Sequence, residues 1–205
     1  MQNRYENKWR CRPQKHSFED GPKLKKNSIK KVLAGLSVIF FIFAVALFVQ
    51  GCSNKIPVKL YFAVYEDESA YLEAEIRNIS DDGSLYANII EELIKGPESG
   101  QLMATLPPDA KVNSVTVSDG IAIVDFSREI ITSTDIIPHS STTEILAIFS
   151  IVDTLTEFKE IQKVRITVEG KQEGELNGLY IEDFWGHVGI YEDFERNEQV
   201  IGTGN

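Results

Sequence analysis

The chain has 205 residues, enough for one domain of ordinary size or for two small ones. Its formal charge of −10 averages two opposed parts: residues 1–31 carry +7, residues 32–52 carry none, and residues 53–205 carry −17. The acidic part offers no basic stripe to neutralise phosphates, so its charge argues against nucleic acid as a partner of the folded domain. The basic part is instead suited to contact anionic lipid.

An apolar, uncharged segment runs from Val32 to Val49. At about 1.5 Å per residue, a helix of this length nearly crosses the roughly 30 Å hydrocarbon core of a bilayer. The Lys and Arg residues before it predict that residues 1–31 form a cytoplasmic leader and that the chain beyond is exported. The segment is either a retained signal anchor or an export signal that is cut.

The residues that follow favour the second interpretation. Val49-Gln50-Gly51-Cys52 resembles the lipobox of bacterial lipoproteins. The resemblance implies that Cys52 receives a diacylglycerol thioether and becomes the new N-terminus, with palmitate-type acyl chains holding the protein on the cell membrane. The alternative is a free thiol at a membrane exit. The only other cysteine, Cys11, lies in the leader, so the exported domain has no internal disulfide.

The exported part begins with two predicted strands. After a tether at residues 53–57, residues 58–65 are rich in β-branched and aromatic side chains. Residues 71–78 alternate apolar and polar positions, with Leu72, Ala74 and Ile76 as the apolar set. Residues 81–84, Asp-Asp-Gly-Ser, mark a loop, and apolar residues at helical spacing then predict a helix over 85–95 that Gly96-Pro97 terminates.

A hairpin and a second helix come next. Asp119-Gly120 separates two β-type runs at 112–118 and 121–126, the strongest short-range signal for a tight hairpin. The spacing of Ser141 and Glu144 predicts a capping box and a helix with a buried stripe. Residues 164–168 alternate as a strand closed by Glu169-Gly170-Lys171, and a last strand is predicted near 187–190, ahead of a frayed end.

These elements predict the α+β class: a single small domain with a mainly antiparallel sheet and two helices packed on one face. Four segments in order resemble the GerMN domain family of sporulation and germination lipoproteins in Gram-positive, spore-forming bacteria. They are residues 93–97 (LIKGP), 106–127, 154–170, and 186–188 with Arg196-Asn197. Two positions depart from the family pattern: Ser140-Ser141 replaces a Gly-Ser pair, and Asp153 replaces Asn.

The resemblance covers about residues 58–197, leaving 198–205 as a C-terminal tail. It implies similarity to ring-building-motif domains and a role as a scaffold or binding module in sporulation, germination or cell-envelope assembly. Other envelope proteins, peptidoglycan or a second copy of the chain are then the expected partners. It implies no catalytic residue and no cofactor.

Direct inspection of the residues leaves few sites for chemistry. Zinc would need His139 and His187 together with carboxylates. We expect instead that His187 is a packed or hydrogen-bonded strand residue and that His139 is a loop residue near a helix start. The 81–84 cluster lacks the ligand spacing of an EF-hand, so an N-cap explains it better than calcium. The alternative function is a peptidoglycan-modifying enzyme with Asp125 and Glu144 as its carboxylate pair.

The aromatic and acidic residues after 178 either bind a partner or complete the core.

Overall fold

The computed structural model describes residues 54–133 and 136–202. The leader, the apolar segment, Cys52 and residue 53 of the predicted tether lie outside these ranges. Within them, no helix combines the length and apolar character that crossing a bilayer requires.

The described chain contains eight strands, three α-helices and one 3₁₀ helix. In chain order these are β1 Asn54–Tyr65, β2 Ala70–Asp81, α1 Leu85–Ile94, β3 Val112–Ser118, β4 Ile121–Phe126, α2 Glu129–Thr132, α3 Ser141–Leu155, β5 Lys163–Val168, β6 Glu175–Leu176, β7 Leu179–Tyr180, β8 Phe194–Glu195 and the 3₁₀ helix Glu198–Val200.

The strands form three sheets. β1 and β2 make a long antiparallel hairpin, β6 and β7 make a short one, and the order in the main sheet is β3-β4-β5-β8. Only the β4 and β5 pair of the main sheet is parallel, because α2 and α3 lie in the connection between them. The α+β class and the two long helices are thus confirmed.

The long helices contact both the main sheet and the β1–β2 hairpin. α1 contacts β1, β2 and β3, and α3 contacts β1, β2, β5 and β8. This double coverage explains why ten of the fifteen residues of α3 are buried, rather than the single stripe that the sequence predicts. Their side chains join both sheets in one hydrophobic core.

The hairpin between β3 and β4 has the predicted tight turn. Asp119 and Gly120 both have positive φ, of 52° and 80°, as a type I′ turn requires. Main-chain bonds then tie the turn to the next strand, since Gln162 and Lys163 donate to the Gly120 carbonyl at 2.8 and 3.1 Å. The turn thereby sets the register of β3, β4 and β5.

The first hairpin differs from prediction in two ways. β1 starts at Asn54, so residues 54–57 belong to the strand and not to a tether. In β2, Leu72 is buried but Ile76 is 67% exposed, while Arg77 is buried instead. The apolar alternation therefore does not mark one buried face, because Arg77 turns toward α1 and stacks 5.3 Å from the Phe62 ring.

Three predictions near the second helix and the C-terminus are wrong. The capping box belongs to Ser140 and Thr143, one residue earlier than predicted. Residues 187–190 form a loop, and the last strand is β8. The end is not frayed through residue 202, because Ile201 bridges to Leu72 and the Gly202 amide donates to the Leu72 carbonyl.

We predict that Gly120→Val lowers the free energy of unfolding by about 1 kcal/mol or more, because a β-branched residue is strained at positive φ. An added Cβ would also lie 2.7 Å from the Gln162 side-chain oxygen. Denaturant melts of residues 53–205 measure the effect. Gly120→Asn, which tolerates this backbone conformation, should lose less.

The matched control is Gly100→Val, because Gly100 lacks positive φ and an added Cβ there meets nothing within 4 Å. An unchanged midpoint for Gly120→Val, or an equal loss in the control, would contradict the assigned turn.

Candidate functional site

Glu144, one of the two carboxylates of the hydrolase hypothesis, is fully buried in the first turn of α3. Its carboxylate accepts three main-chain N–H groups from one loop: Gly189 and His187 at 2.8 Å, and Trp185 at 3.4 Å. Amide donors and the helix N-terminus both stabilise a buried negative charge. The residue therefore holds the loop in place and is closed to solvent.

Asp125, the second carboxylate, ends β4 and has entirely different partners. Its side chain accepts bonds from Thr167 at 2.8 Å, from the Gly170 amide at 2.6 Å and from Asn113 at 3.0 Å. These bonds fix the turn after β5 that the sequence predicts at Glu169-Gly170-Lys171. The structure thus gives the two carboxylates separate structural partners rather than one shared site.

The two histidines lie near Glu144: the His187 main-chain N–H donates to its carboxylate, and His139 stacks on Trp185, whose main-chain N–H also donates to it. His139 precedes the α3 N-cap in a loop, as predicted, whereas His187 is an exposed loop residue and not a strand residue. Residues 54–133 and 136–202 contain no cluster of three or more His, Cys, Asp or Glu arranged to hold a metal. Burial lowers the pKa of His139, which favours the neutral imidazole.

The loop that Glu144 holds forms an aromatic cleft with α2 and β7. We call this the aromatic cleft; it has a volume of about 240 Å³ and is lined by Ile131, Thr132, His139, Gly178, Leu179, Tyr180, Asp183, Phe184, Trp185 and Gly186. Its floor is a stack in which Trp185 lies 4.4 Å from the His139 ring and 5.1 Å from the Phe184 ring. The Trp185 indole N–H donates to the Ile130 carbonyl at 2.8 Å.

The C-terminal aromatic residues divide between core and surface. Phe184, Trp185 and Phe194 are buried, but Tyr180 is 56% exposed beside the cleft and Tyr191 is 64% exposed. Tyr191 donates to Asp183, which lines the cleft. The interpretation that these aromatic residues complete the core is confirmed for the three buried ones, and partner binding by the exposed tyrosines stays a prediction. Composition alone could not separate the two groups, because their division depends on the fold of the loop.

Arg196 and Asn197, which the family resemblance singles out, fasten the C-terminal segment to α3. The Arg196 guanidinium donates to the Asp153 carbonyl and to the Tyr61 hydroxyl at 2.9 Å each, and pairs with Glu157 at 3.0 Å. The main-chain N–H of Asn197 donates to the Asp153 carboxylate at 2.9 Å. The segment thus bridges β1 and the last turn of α3.

Arg77 and Glu75 hold the C-terminal end of α1 in place, as Arg196 and Asn197 hold the end of α3. Arg77 donates to the Gly96 carbonyl at 2.6 Å and the Glu92 carbonyl at 3.1 Å, while Glu75 accepts the Ser99 amide at 2.9 Å. Burial opposes the change, but the Ser99 amide and Arg77 together lower the pKa of Glu75. The LIKGP segment is therefore held by a charged pair that sequence analysis did not identify.

Asp153 stands where the resembling family has Asn. Its side chain is buried, and its second oxygen has no hydrogen-bond partner within the described chain. Burial raises the pKa of Asp153 to about 6, with the Asn197 amide and Arg196 acting in the opposite direction. A carboxyl group thus occupies a position whose surroundings suit a neutral side chain.

This architecture defines a class of small α+β domains in which two helices contact both a β-hairpin and a mixed four-stranded sheet. The family model described as sporulation and spore germination matches residues 59–174, more than half of the chain. The chain therefore belongs to this sporulation and spore germination family, which confirms the predicted resemblance.

The relatives agree with this assignment. The spore germination protein GerM of Bacillus subtilis (strain 168) is 32% identical over 139 residues, covering 65% of this chain and 34% of that protein. The chain thus spans about a third of the length of this relative.

Two solved structures from Bacillus subtilis are similar at 26% identity. The tandem GerMN domains of the sporulation protein GerM match with a TM-score of 0.55, covering 75% of this chain and 50% of that one. The first GerMN domain of GerM matches with a TM-score of 0.51, covering 69% and 98%. These matches confirm the GerMN fold and its likeness to ring-building-motif domains.

We predict that Asp153→Asn stabilises the domain at pH 7 and has little effect near pH 4. The folded state binds a proton on Asp153 more tightly than the unfolded state, so stability from this group is lost as pH rises from about 4 through 6. The difference at pH 7 should approach roughly 3 kcal/mol. Denaturant melts at both pH values measure it, and a gap that does not change with pH would contradict the burial argument.

Proposed function

We propose that this protein is a non-catalytic scaffold or binding module that acts in sporulation, germination or cell-envelope assembly. The observation that carries the proposal is the use of Glu144: a carboxylate at a helix start, closed to solvent, that orders an aromatic cleft instead of facing a substrate. The relative named spore germination protein GerM supports the biological setting.

The cleft has the features of a binding surface. Exposed Tyr180 and Leu179 rim it, and Tyr191 lies against Asp183 at its edge. Tyr and Trp are frequent anchors at interfaces because they bury large areas at a small cost in conformational entropy. The hydrogen bonds of Glu144 and of the Trp185 indole hold loop residues 185–189 in place before a partner binds. This reduces the conformational entropy that the loop loses on binding.

We place the domain on the extracytoplasmic face of the cell membrane, held there through Cys52 or by the hydrophobic segment itself. The charge step from +7 to −17 across that segment supports this orientation. With β1 starting at Asn54, two residues after Cys52, a lipid on that cysteine would keep the domain within a few ångströms of the bilayer. Partners embedded in or lying on the membrane are then within reach.

The alternative, a peptidoglycan-modifying enzyme, would require Asp125 and Glu144 to leave their present hydrogen-bond partners. A glycosidase carboxylate must contact the scissile bond, and the two carboxylates must flank it within about 10 Å. Glu144 would have to leave three N–H donors, and Asp125 would have to leave the turn after β5. Since an unpaired buried N–H costs about 1–3 kcal/mol, such a rearrangement is unfavourable.

We predict that Cys52→Ala yields an uncleaved, non-lipidated precursor, because the thiol is the acceptor and modification precedes cleavage. Intact mass of the protein from membranes gives the result. Cys11→Ala is the matched control, since its thiol lies in the leader, and its mature product should equal that of the wild type. Equal processing of Cys52→Ala and wild type, or a wild type that keeps residues 1–51, would refute lipidation.

We predict that Tyr180→Ser combined with Tyr191→Ser reduces capture of envelope partners at least tenfold without a change in stability, because both side chains are exposed. The measurement is cross-linking and affinity capture from membranes of the native host with the full-length chain. Ile76→Ser, which removes an exposed apolar side chain from β2, is the control and should capture as wild type does. Equal capture by the double variant would reject the cleft as the binding surface.

An activity assay with the same full-length protein distinguishes the scaffold from the peptidoglycan-modifying enzyme. Incubated with purified peptidoglycan, the wild type should release no fragments. General acid or base catalysis contributes about 10² to 10⁴ in rate, so turnover that Asp125→Asn or Glu144→Gln abolishes would replace the scaffold with the hydrolase.

A further inference from the structure

β3 is an open edge of the main sheet. Among residues 54–133 and 136–202, β4 is the only strand that pairs with it. Asn113, Ser114, Thr116 and Ser118 are exposed along it. An edge strand that keeps free N–H and C=O groups is a template for another strand.

The turn fixes which groups are free. The residues that flank a two-residue hairpin turn, Ser118 and Ile121, form a hydrogen-bonded pair, and this pairing then alternates along the ladder as far as Ser114, because the register shifts between Val112 and Ser114. Ser118, Thr116 and Ser114 therefore bond to β4. The N–H and C=O groups of Val115 and Val117 point away from β4, and no other described segment bonds to them.

The two ends of this edge carry opposite charges. Lys111 precedes the strand, Asp119 follows it, and both are exposed. If β3 pairs antiparallel with a second β3 about a two-fold axis at Val115, Lys111 of each copy lies just beyond one end of the paired strands, at the end where Asp119 of the other copy lies. A register centred on Thr116 or on Val117 also brings free groups together but leaves both charges unpaired.

We propose that β3 is a homodimer interface in which two copies of this chain pair antiparallel about Val115 and join their main sheets into one of eight strands. The occupant is a second copy, because the edge is complementary to itself in both hydrogen bonding and charge. A two-fold axis makes the Lys111 and Asp119 contact twice. The half-buried Val115 and Val117 side chains would extend the inner apolar face across the axis.

A cysteine at the axis provides the test. Residues opposite each other in a hydrogen-bonded antiparallel pair have Cα atoms about 5.5 Å apart, within the range of a disulfide. The full-length chain with Cys11→Ser and Val115→Cys, oxidised mildly in whole cells, should give mostly disulfide-linked dimer. Glu195→Cys, on the opposite edge of the same sheet, is the matched control and should stay monomeric. The parent with Cys11→Ser alone reports any link through Cys52.

Charge variants test the register. Lys111→Glu should reduce the linked fraction several-fold, and Lys111→Glu with Asp119→Lys should restore it. If Val115→Cys fails to fold, Ser114→Cys with Thr116→Cys places both thiols on the exposed face, where they meet their counterparts across the same axis.

Linkage of Glu195→Cys to the same extent, absence of dimer from both cysteine designs, or indifference to Lys111→Glu would overturn the proposal. The binding role of the aromatic cleft is tested by different residues and stands or falls separately.

Discussion

The buried carboxylate of Glu144 is the constraint on which the surface of this domain depends. It lies in the first turn of α3, where the helix dipole and three N–H groups from residues 185–189 offset its loss of hydration. Those bonds place Trp185, which in turn reaches α2 through its indole N–H and carries the His139 and Phe184 stack. A single charged side chain thereby links a helix start to the order of the aromatic cleft.

Two arginines extend the same principle to the rest of the fold. Arg77 holds the C-terminal carbonyls of α1, and Arg196 holds the last turn of α3. Each helix thus ends against a guanidinium from a strand or segment far away in sequence, where the positive charge also suits the helix dipole. Residues 53–205 contain no cysteine, so these hydrogen bonds supplement the hydrophobic core as the links between helices and sheets.

Local chemistry predicted the features that depend on a few adjacent residues. Asp119-Gly120 dictates its turn, and Gly96 ends α1 with a positive φ of 82°. The strand predicted at residues 187–190 is wrong, although the alternating apolar residues there resemble a strand. The main-chain amides of residues 185, 187 and 189 donate to the Glu144 carboxylate instead of to a neighbouring strand. The burial of Arg77 and of Glu144 could not be predicted in this way, since each is buried only because distant segments supply its partners.

The acidic character of the domain then has two physical origins. Most of its carboxylates stay at the surface, where water and salt weaken their mutual repulsion and they contribute solubility. The less exposed ones depend on specific partners: the half-buried Glu75 has amides and Arg77, the buried Glu144 has main-chain amides, and the buried Asp153 accepts a single main-chain amide, which leaves one carboxylate oxygen unpaired. Only the last is incompletely compensated, and there the family pattern has a neutral Asn. The carboxyl group of Asp153 therefore makes the stability of the domain fall as pH rises toward neutrality.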